Sequence, residues 1–147
     1  MSQSIINRIS KTLSANDTGE TGGHQAGILI PKNPKILSFF PALEAREKNP
    51  RITLVFRDTD GVTKWSFVFI YYNNRFFGGT RNEYRLTGMT RFIISKNLKS
   101  GSEMIFEKDE LGRLFILSSV QLPKTSSEDD SFVLKLSSGW KVLKIKG

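Results

Sequence analysis

Arg81, Glu83 and Arg85 occupy alternate positions in the segment Gly78-Gly79-Thr80-Arg81-Asn82-Glu83-Tyr84-Arg85. In extended backbone, side chains two residues apart leave on one face, so cation, anion and cation stand in a row. Two guanidinium forks can span the O6 and N7 edges of neighbouring guanines, and the carboxylate between them can accept from cytosine N4. The same carboxylate would orient the forks before any ligand arrives. A second polar segment, Asn16 to Gln25, mixes glycines with side chains able to reach base edges. Within it Asp17 and Glu20 can meet cytosine or cap local turns. Thr18, Thr21, Gln25 and, in the other segment, Asn82 are further candidate base or backbone contacts. The net charge of +8 suits a polyanion, and with these two segments the leading expectation is duplex DNA. The plain alternative is a charge ladder on an exposed strand, worth at most about 1 kcal/mol per pair.

A phosphate grip would come from basic residues outside the two segments: Arg8, Lys11, Lys32, Lys35, Arg75 and Arg91 are the candidates. Phe76-Phe77 could stack single-stranded bases, but the expectation here is packing at the end of a strand. Other chemistries find little support. The chain has no cysteine, which excludes disulfides and thiolate zinc sites, and its single histidine argues against a histidine-rich metal centre. Gly19-Glu20-Thr21-Gly22-Gly23 lacks the lysine and hydroxyl residue of a phosphate-cradling P-loop. No Pro-Asp dipeptide occurs, and no acidic residue stands two positions before a lysine, so a restriction-type cleavage centre is not expected within the chain. The expectation is a recognition module that needs no cofactor or metal. The longest apolar stretch, Trp65 to Tyr72, is too short for a bilayer, and the first residues do not read as a secretion signal, so a cytoplasmic location is expected.

The elements that must position these residues read as mainly β. A length of 147 residues fits one domain with a sizeable core. Ile5 to Ser14 leans to strand, and Ala26 to Ile30 forms a short buried strand. Pro34 can open a helix over Lys35 to Phe40 that Pro41 closes. Arg51 to Arg57 and Val62 to Tyr72 flank Asp58-Thr59-Asp60-Gly61 as the clearest hairpin, with Trp65, Phe67 and Phe69 lining the interior. A short helix is expected over Thr87 to Asn97. A second hairpin pairs Glu103 to Phe106 with Arg113 to Ser119, Thr125 to Asp130 is a polar connection, and a last strand pair joins Ser131 to Leu136 with Trp140 to Ile145. About seven strands and two short helices predict an open β-barrel or sandwich.

On these residues the chain resembles a known family. Leu13-Ser14-Ala15-Asn16-Asp17-Thr18-Gly19 through Gly23-His24-Gln25-Ala26-Gly27, and then Gly78 to Arg85, look like the two loops of the N-terminal effector domain of EcoRII-type restriction endonucleases. Leu86-Thr87-Gly88, Arg91-Phe92 and Lys96-Asn97-Leu98-Lys99-Ser100-Gly101 are similar to plant B-three transcription-factor domains. The likeness covers roughly residues 5 to 120. It implies a seven-stranded DNA-binding pseudobarrel that grips the major groove with an N-terminal arm (16 to 25) and a C-terminal arm (78 to 85). It also implies base contacts from His24, Arg81, Glu83 and Arg85, and a short duplex target of which CCWGG is the EcoRII-type example. His24 alone would read as a structural or exposed histidine; beside Gly22-Gly23 in the matched arm it reads as a base or phosphate contact. Two positions depart: Ser102 replaces a usual aspartate, and Gly79 stands where the family sometimes has lysine, which puts one DNA contact in doubt. By this resemblance, catalysis lies in sequence beyond Gly147 or in a partner chain. The competing expectations are an RNA or single-strand binding module of barrel type and a basic protein–protein module.

Overall fold

A computed structural model describes residues 4–19, 27–119, 133–135 and 139–143. Nine strands form one sheet: β1 (Ile5–Thr12), β2 (Ile28–Ile30), β3 (Arg51–Arg57), β4 (Lys64–Tyr72), β5 (Glu83–Thr87), β6 (Glu103–Asp109), β7 (Leu114–Ser118), β8 (Val133–Lys135) and β9 (Trp140–Leu143). Three short helices punctuate it: α1 (Ala15–Thr18), α2 (Pro34–Leu37) and α3 (Thr90–Ser95). Asn74–Phe77 forms a 3-10 turn. The expected mainly β architecture holds, with nine strands and three α-helices among the described residues where about seven and two were expected.

Sheet order is β2-β5-β4-β3-β7-β6-β1-β9-β8. Neighbours are antiparallel except β3 and β7, which run parallel with Phe56 opposite Leu114. The β3–β4 hairpin is held by its turn: the Asp60 carboxylate accepts from the backbone N–H groups of Val62 and Thr63. Asp58, nearly buried beside that turn, accepts from Trp65 Nε1 at 2.9 Å and pairs with Lys96 Nζ at 2.9 Å. A buried carboxylate needs such partners, and here they tie the hairpin to the end of α3.

Alternation along the strands builds the core. Phe56, Phe67, Phe69, Leu86 and Phe106 point inward and are essentially sealed from solvent, with Phe92 of α3 packed over them. Phe56 stacks at a tilt on Phe67 and edge-on to Phe106. Trp140 of β9 is fully buried, and its Nε1 donates to the carbonyl of Leu29 in β2 at 3.0 Å. Leu29 lies on the first strand of the sheet order and Trp140 on the eighth, so a side chain latches the curled sheet where, among the described residues, no ladder joins the two strands.

Several boundaries differ from expectation. α2 is one turn, capped by the Asn33 side chain and opened by Pro34; it ends at Leu37, before the expected Phe40. α3 begins at Thr90, because Thr87 still pairs with Val68 in the ladder. α1 was not expected: its capping box satisfies backbone donors from both ends of Ser14-Ala15-Asn16-Asp17. Phe76 and Phe77 do not pack at a strand end. The 3-10 turn carries the chain away from the core after β4, leaving the rings 65% and 44% exposed. The Thr125 to Asp130 connection lies outside the described residues, as do the outer ends expected for the last strand pair. No helix among the described residues is long and apolar enough to cross a membrane.

Candidate nucleic-acid interface

The C-terminal arm is half loop and half strand. β5 begins at Glu83 and lies between β4 and β2, with Glu83 opposite Tyr72, and Arg85 opposite both Ile70 and Leu29. Tyr84 and Leu86 point the other way, Leu86 into the core and Tyr84 stacked on Tyr71 with centroids 4.2 Å apart. Burial of Tyr84 pushes its phenol above the ordinary tyrosine range. Strand alternation therefore puts Glu83 and Arg85 together on the outward face, as expected from their spacing.

The ionic row is assembled before any ligand arrives. Arg81 Nη2 donates to Glu83 Oε2 at 2.6 Å, and Arg85 Nε donates to the same oxygen at 2.7 Å. Arg81 also lies over the ring of Tyr72, 3.7 Å from its centroid, and Arg85 Nη1 donates to the carbonyl of Gly27 at 3.0 Å. Each guanidinium thus has two anchors. All three side chains keep partial contact with solvent.

The loop before β5 is organised by Asn74. Its backbone carbonyl accepts from Gly79 N–H at 2.7 Å, and its side-chain oxygen accepts from Arg81 N–H at 2.7 Å. Arg75 N–H donates to the Arg81 carbonyl at 2.9 Å, closing the loop at its base. A Cβ on Gly79 would sit 2.8 Å from the Asn74 side chain, so a lysine there would require this packing to shift. Asn82 turns its side-chain oxygen inward to accept from Tyr71 Oη at 2.7 Å, a structural use of a residue expected at a base edge. Tyr72, Asn74 and the Gly27 carbonyl were not anticipated. The Asn73-Asn74 pair ahead of Gly78-Gly79 is a turn signal that could have pointed to Asn74; nothing in the sequence marks Tyr72 as a platform.

Only the root of the N-terminal arm is described. Asp17 accepts from Ser14 N–H at 2.9 Å and lies 3.6 Å from Lys11 Nζ. Its carboxylate caps the helix, one of the two roles expected of Asp17, and Lys11, a candidate phosphate contact, is buried beside it. Glu20, Thr21, His24 and Gln25 lie outside the described residues. Thr18 donates its hydroxyl to the Ala15 carbonyl within α1. Gly27, where the arm rejoins the sheet, has φ +88°, and a Cβ there would meet the Leu86 carbonyl oxygen at 2.6 Å. Only glycine fits that approach.

Among the described residues, an open cleft of about 350 Å³ is bordered among others by Asp17, Gly27, Tyr72, Arg81 and Thr90. Lys32, Lys35, Arg75 and Arg91 are exposed, as phosphate contacts require, whereas Arg8 is partly covered and paired with Glu107 at 2.7 Å.

The hydrogen bond from Arg81, and then that from Arg85, holds the Glu83 carboxyl below the ordinary glutamate range, more than offsetting its partial burial. A depressed folded pKa stabilises the fold above the unfolded value and loses that contribution as pH falls through the folded pKa. Glu83→Gln should therefore be less stable than the parent at pH 7, and the gap should close on acidification below pH 4.5, the ordinary glutamate value. Paired urea melts from pH 7 to pH 3 check this; a gap independent of pH would show that the carboxylate charge is irrelevant.

Two solved structures share the architecture. The Arabidopsis FUS3 protein in a DNA complex aligns with a TM-score of 0.57 at 23% identity, covering 74% of this chain and 92% of that one. The B3 domain of the UbaLAI restriction endonuclease, solved with cognate DNA, aligns with a TM-score of 0.51 at 20% identity, covering 80% and 68%. The fold is thus that of the B3-like DNA-binding pseudobarrels. The sequence model described as "Restriction endonuclease EcoRII, N-terminal" matches residues 2–144, and the chain belongs to that family. The type II restriction enzyme EcoRII of Escherichia coli is 41% identical over 107 residues, 69% of this chain and 26% of the enzyme. Auxin response factor 4 of Arabidopsis thaliana is 35% identical over 104 residues, 71% of this chain and 12% of that protein. The chain therefore spans only a small part of these relatives.

Proposed function

We propose that this chain binds double-stranded DNA sequence-specifically in the major groove, as the recognition or effector domain of a type II restriction endonuclease. The observation that carries the reading is the row Arg81–Glu83–Arg85, fixed on an outward strand face by a shared carboxylate oxygen. An array organised in advance loses little freedom on meeting bases, and its order of donors and acceptor fits guanine and cytosine edges. Membership of the EcoRII N-terminal family and the DNA-bound state of both similar structures support the same reading. The target is a short duplex site of the CCWGG type, and the first arm contributes His24. Cleavage belongs to a separate catalytic segment or partner chain, and the working compartment is the cytoplasm, where genomic and invading DNA are met.

Selection from a random duplex library, followed by fluorescence anisotropy, tests this. One short motif should be enriched and bound at least a thousandfold more tightly than unrelated duplex, with no metal required. Affinity should fall linearly on log–log axes with salt, the slope reporting the phosphates neutralised. Preference for single-stranded DNA or RNA, or equal binding of all duplexes, would overturn the proposal.

A further inference from the structure

Among the described residues, Phe76 and Phe77 are the only phenylalanines that are exposed; the others are buried or half-buried in the barrel. Their exposure is built into the loop. Phe76 N–H donates to the Asn73 carbonyl at 3.0 Å, Gly78 turns the chain at φ +91°, and the Arg75-to-Arg81 backbone bond closes the loop beneath them. The two rings therefore sit on the same small closed loop whose base carries Arg81, the first member of the ionic row. Phe76 is mostly exposed and Phe77 nearly half so, and the loop's hydrogen bonds run through the backbone and Asn74, so they would survive replacement of the rings by polar residues.

An apolar pair on the rim of a groove-reading arm has a specific chemical counterpart. The major groove is polar except at the C5-methyl group of pyrimidines, and phenylalanine is among the side chains that contact it. We infer that Phe76 and Phe77 form an apolar reading element for a pyrimidine C5-methyl group at a base pair adjoining those met by Arg81 and Arg85. This rests on the duplex-binding reading above and extends it from hydrogen-bonded positions to one recognised by shape and apolar contact. The occupant follows from continuity with the ionic row: a surface presented to the same groove meets the same ligand.

The methyl group can come from thymine or from 5-methylcytosine, and the test separates them. Starting from the selected duplex, each thymine is replaced in turn by deoxyuridine, which deletes only the methyl, and each cytosine by 5-methylcytosine. The parent protein should lose three- to tenfold in affinity at one deoxyuridine position, or gain as much at one 5-methylcytosine position. The Phe76→Ala/Phe77→Ala protein should bind both members of that pair equally while keeping its preference at the guanine positions. Since both rings are exposed, the variant should keep the parent's melting temperature. Three results overturn the inference: no methyl effect anywhere in the parent, a methyl effect that survives the double replacement, or loss of duplex binding with tighter single-strand binding by the parent. The last also removes the duplex-binding reading; the first two leave it standing.

Discussion

Replacing Arg85 by alanine is expected to weaken binding of the preferred duplex ten- to a hundredfold and to abolish discrimination at one base pair. A bidentate arginine–guanine contact is worth about 1–3 kcal/mol, and Arg85 enters it already held by Glu83 and the Gly27 carbonyl. Arg81→Ala should behave alike at a different base, since its fork is held by the same Oε2 and by the face of Tyr72. Lysine should not rescue either position, because a point charge cannot bridge O6 and N7 or reproduce the planar stack. By contrast, Lys32→Ala should weaken binding of every sequence alike and lower the salt slope by about one. Anisotropy against all single-base variants of the site distinguishes the two patterns. A uniform loss on Arg85→Ala would reduce it to a phosphate contact and dissolve the case for the ionic row.

Trp140→Ala should cost on the order of 3–5 kcal/mol, a large share of the 5–15 kcal/mol that holds a typical domain together. The ring is wholly enclosed, stacked on Phe106 at 6.0 Å, and its N–H grips the far end of the sheet. Trp140→Phe keeps much of the volume and removes only the latch, so a smaller loss of about 1 kcal/mol is expected. Chemical denaturation of the three proteins gives both values. A truncation cost under about 1 kcal/mol would mean that the seam between β2 and β9 is not where the sheet is held.

Most of the fold was legible because its strands obey a simple rule. Leu54 and Phe56 before Asp60-Gly61, and Phe67 and Phe69 after it, are buried at alternate positions, and the hairpin appears where the pattern places it. The start of β5 was hidden because its outward residues, Glu83 and Arg85, are charged, and the apolar alternation that marks a strand is absent on that face. The parallel pairing of β3 with β7 brings together residues far apart in sequence, which local patterning cannot show. α1 carries no apolar periodicity, though Ser14 followed three residues later by Asp17 is a capping signature that could have revealed it. The pair Phe76-Phe77 was placed inward on hydrophobicity alone, while Asn73-Asn74 and Gly78-Gly79 on either side mark a turn leaving the core. In the site, spacing predicted the shared face of Glu83 and Arg85, but not the supports beneath the row. Tyr72 and Gly27 act through a ring face and a main-chain carbonyl, and neither leaves a mark in residue type.

The carboxylate of Glu83 is asymmetric in use: both guanidiniums converge on Oε2, and neither described bond engages Oε1. Oε2 therefore serves as scaffold, and in the proposed duplex complex Oε1 would be the oxygen left to accept from a base. With glutamine at this position, two cations would select the amide oxygen for the scaffold side and turn the NH2 group outward. The recognition surface would then present a donor where it had presented an acceptor, favouring a base edge of opposite polarity with little change in shape. On the proposed reading, a single atom pair would make the preferred sequence of this barrel rewritable without rebuilding its arm.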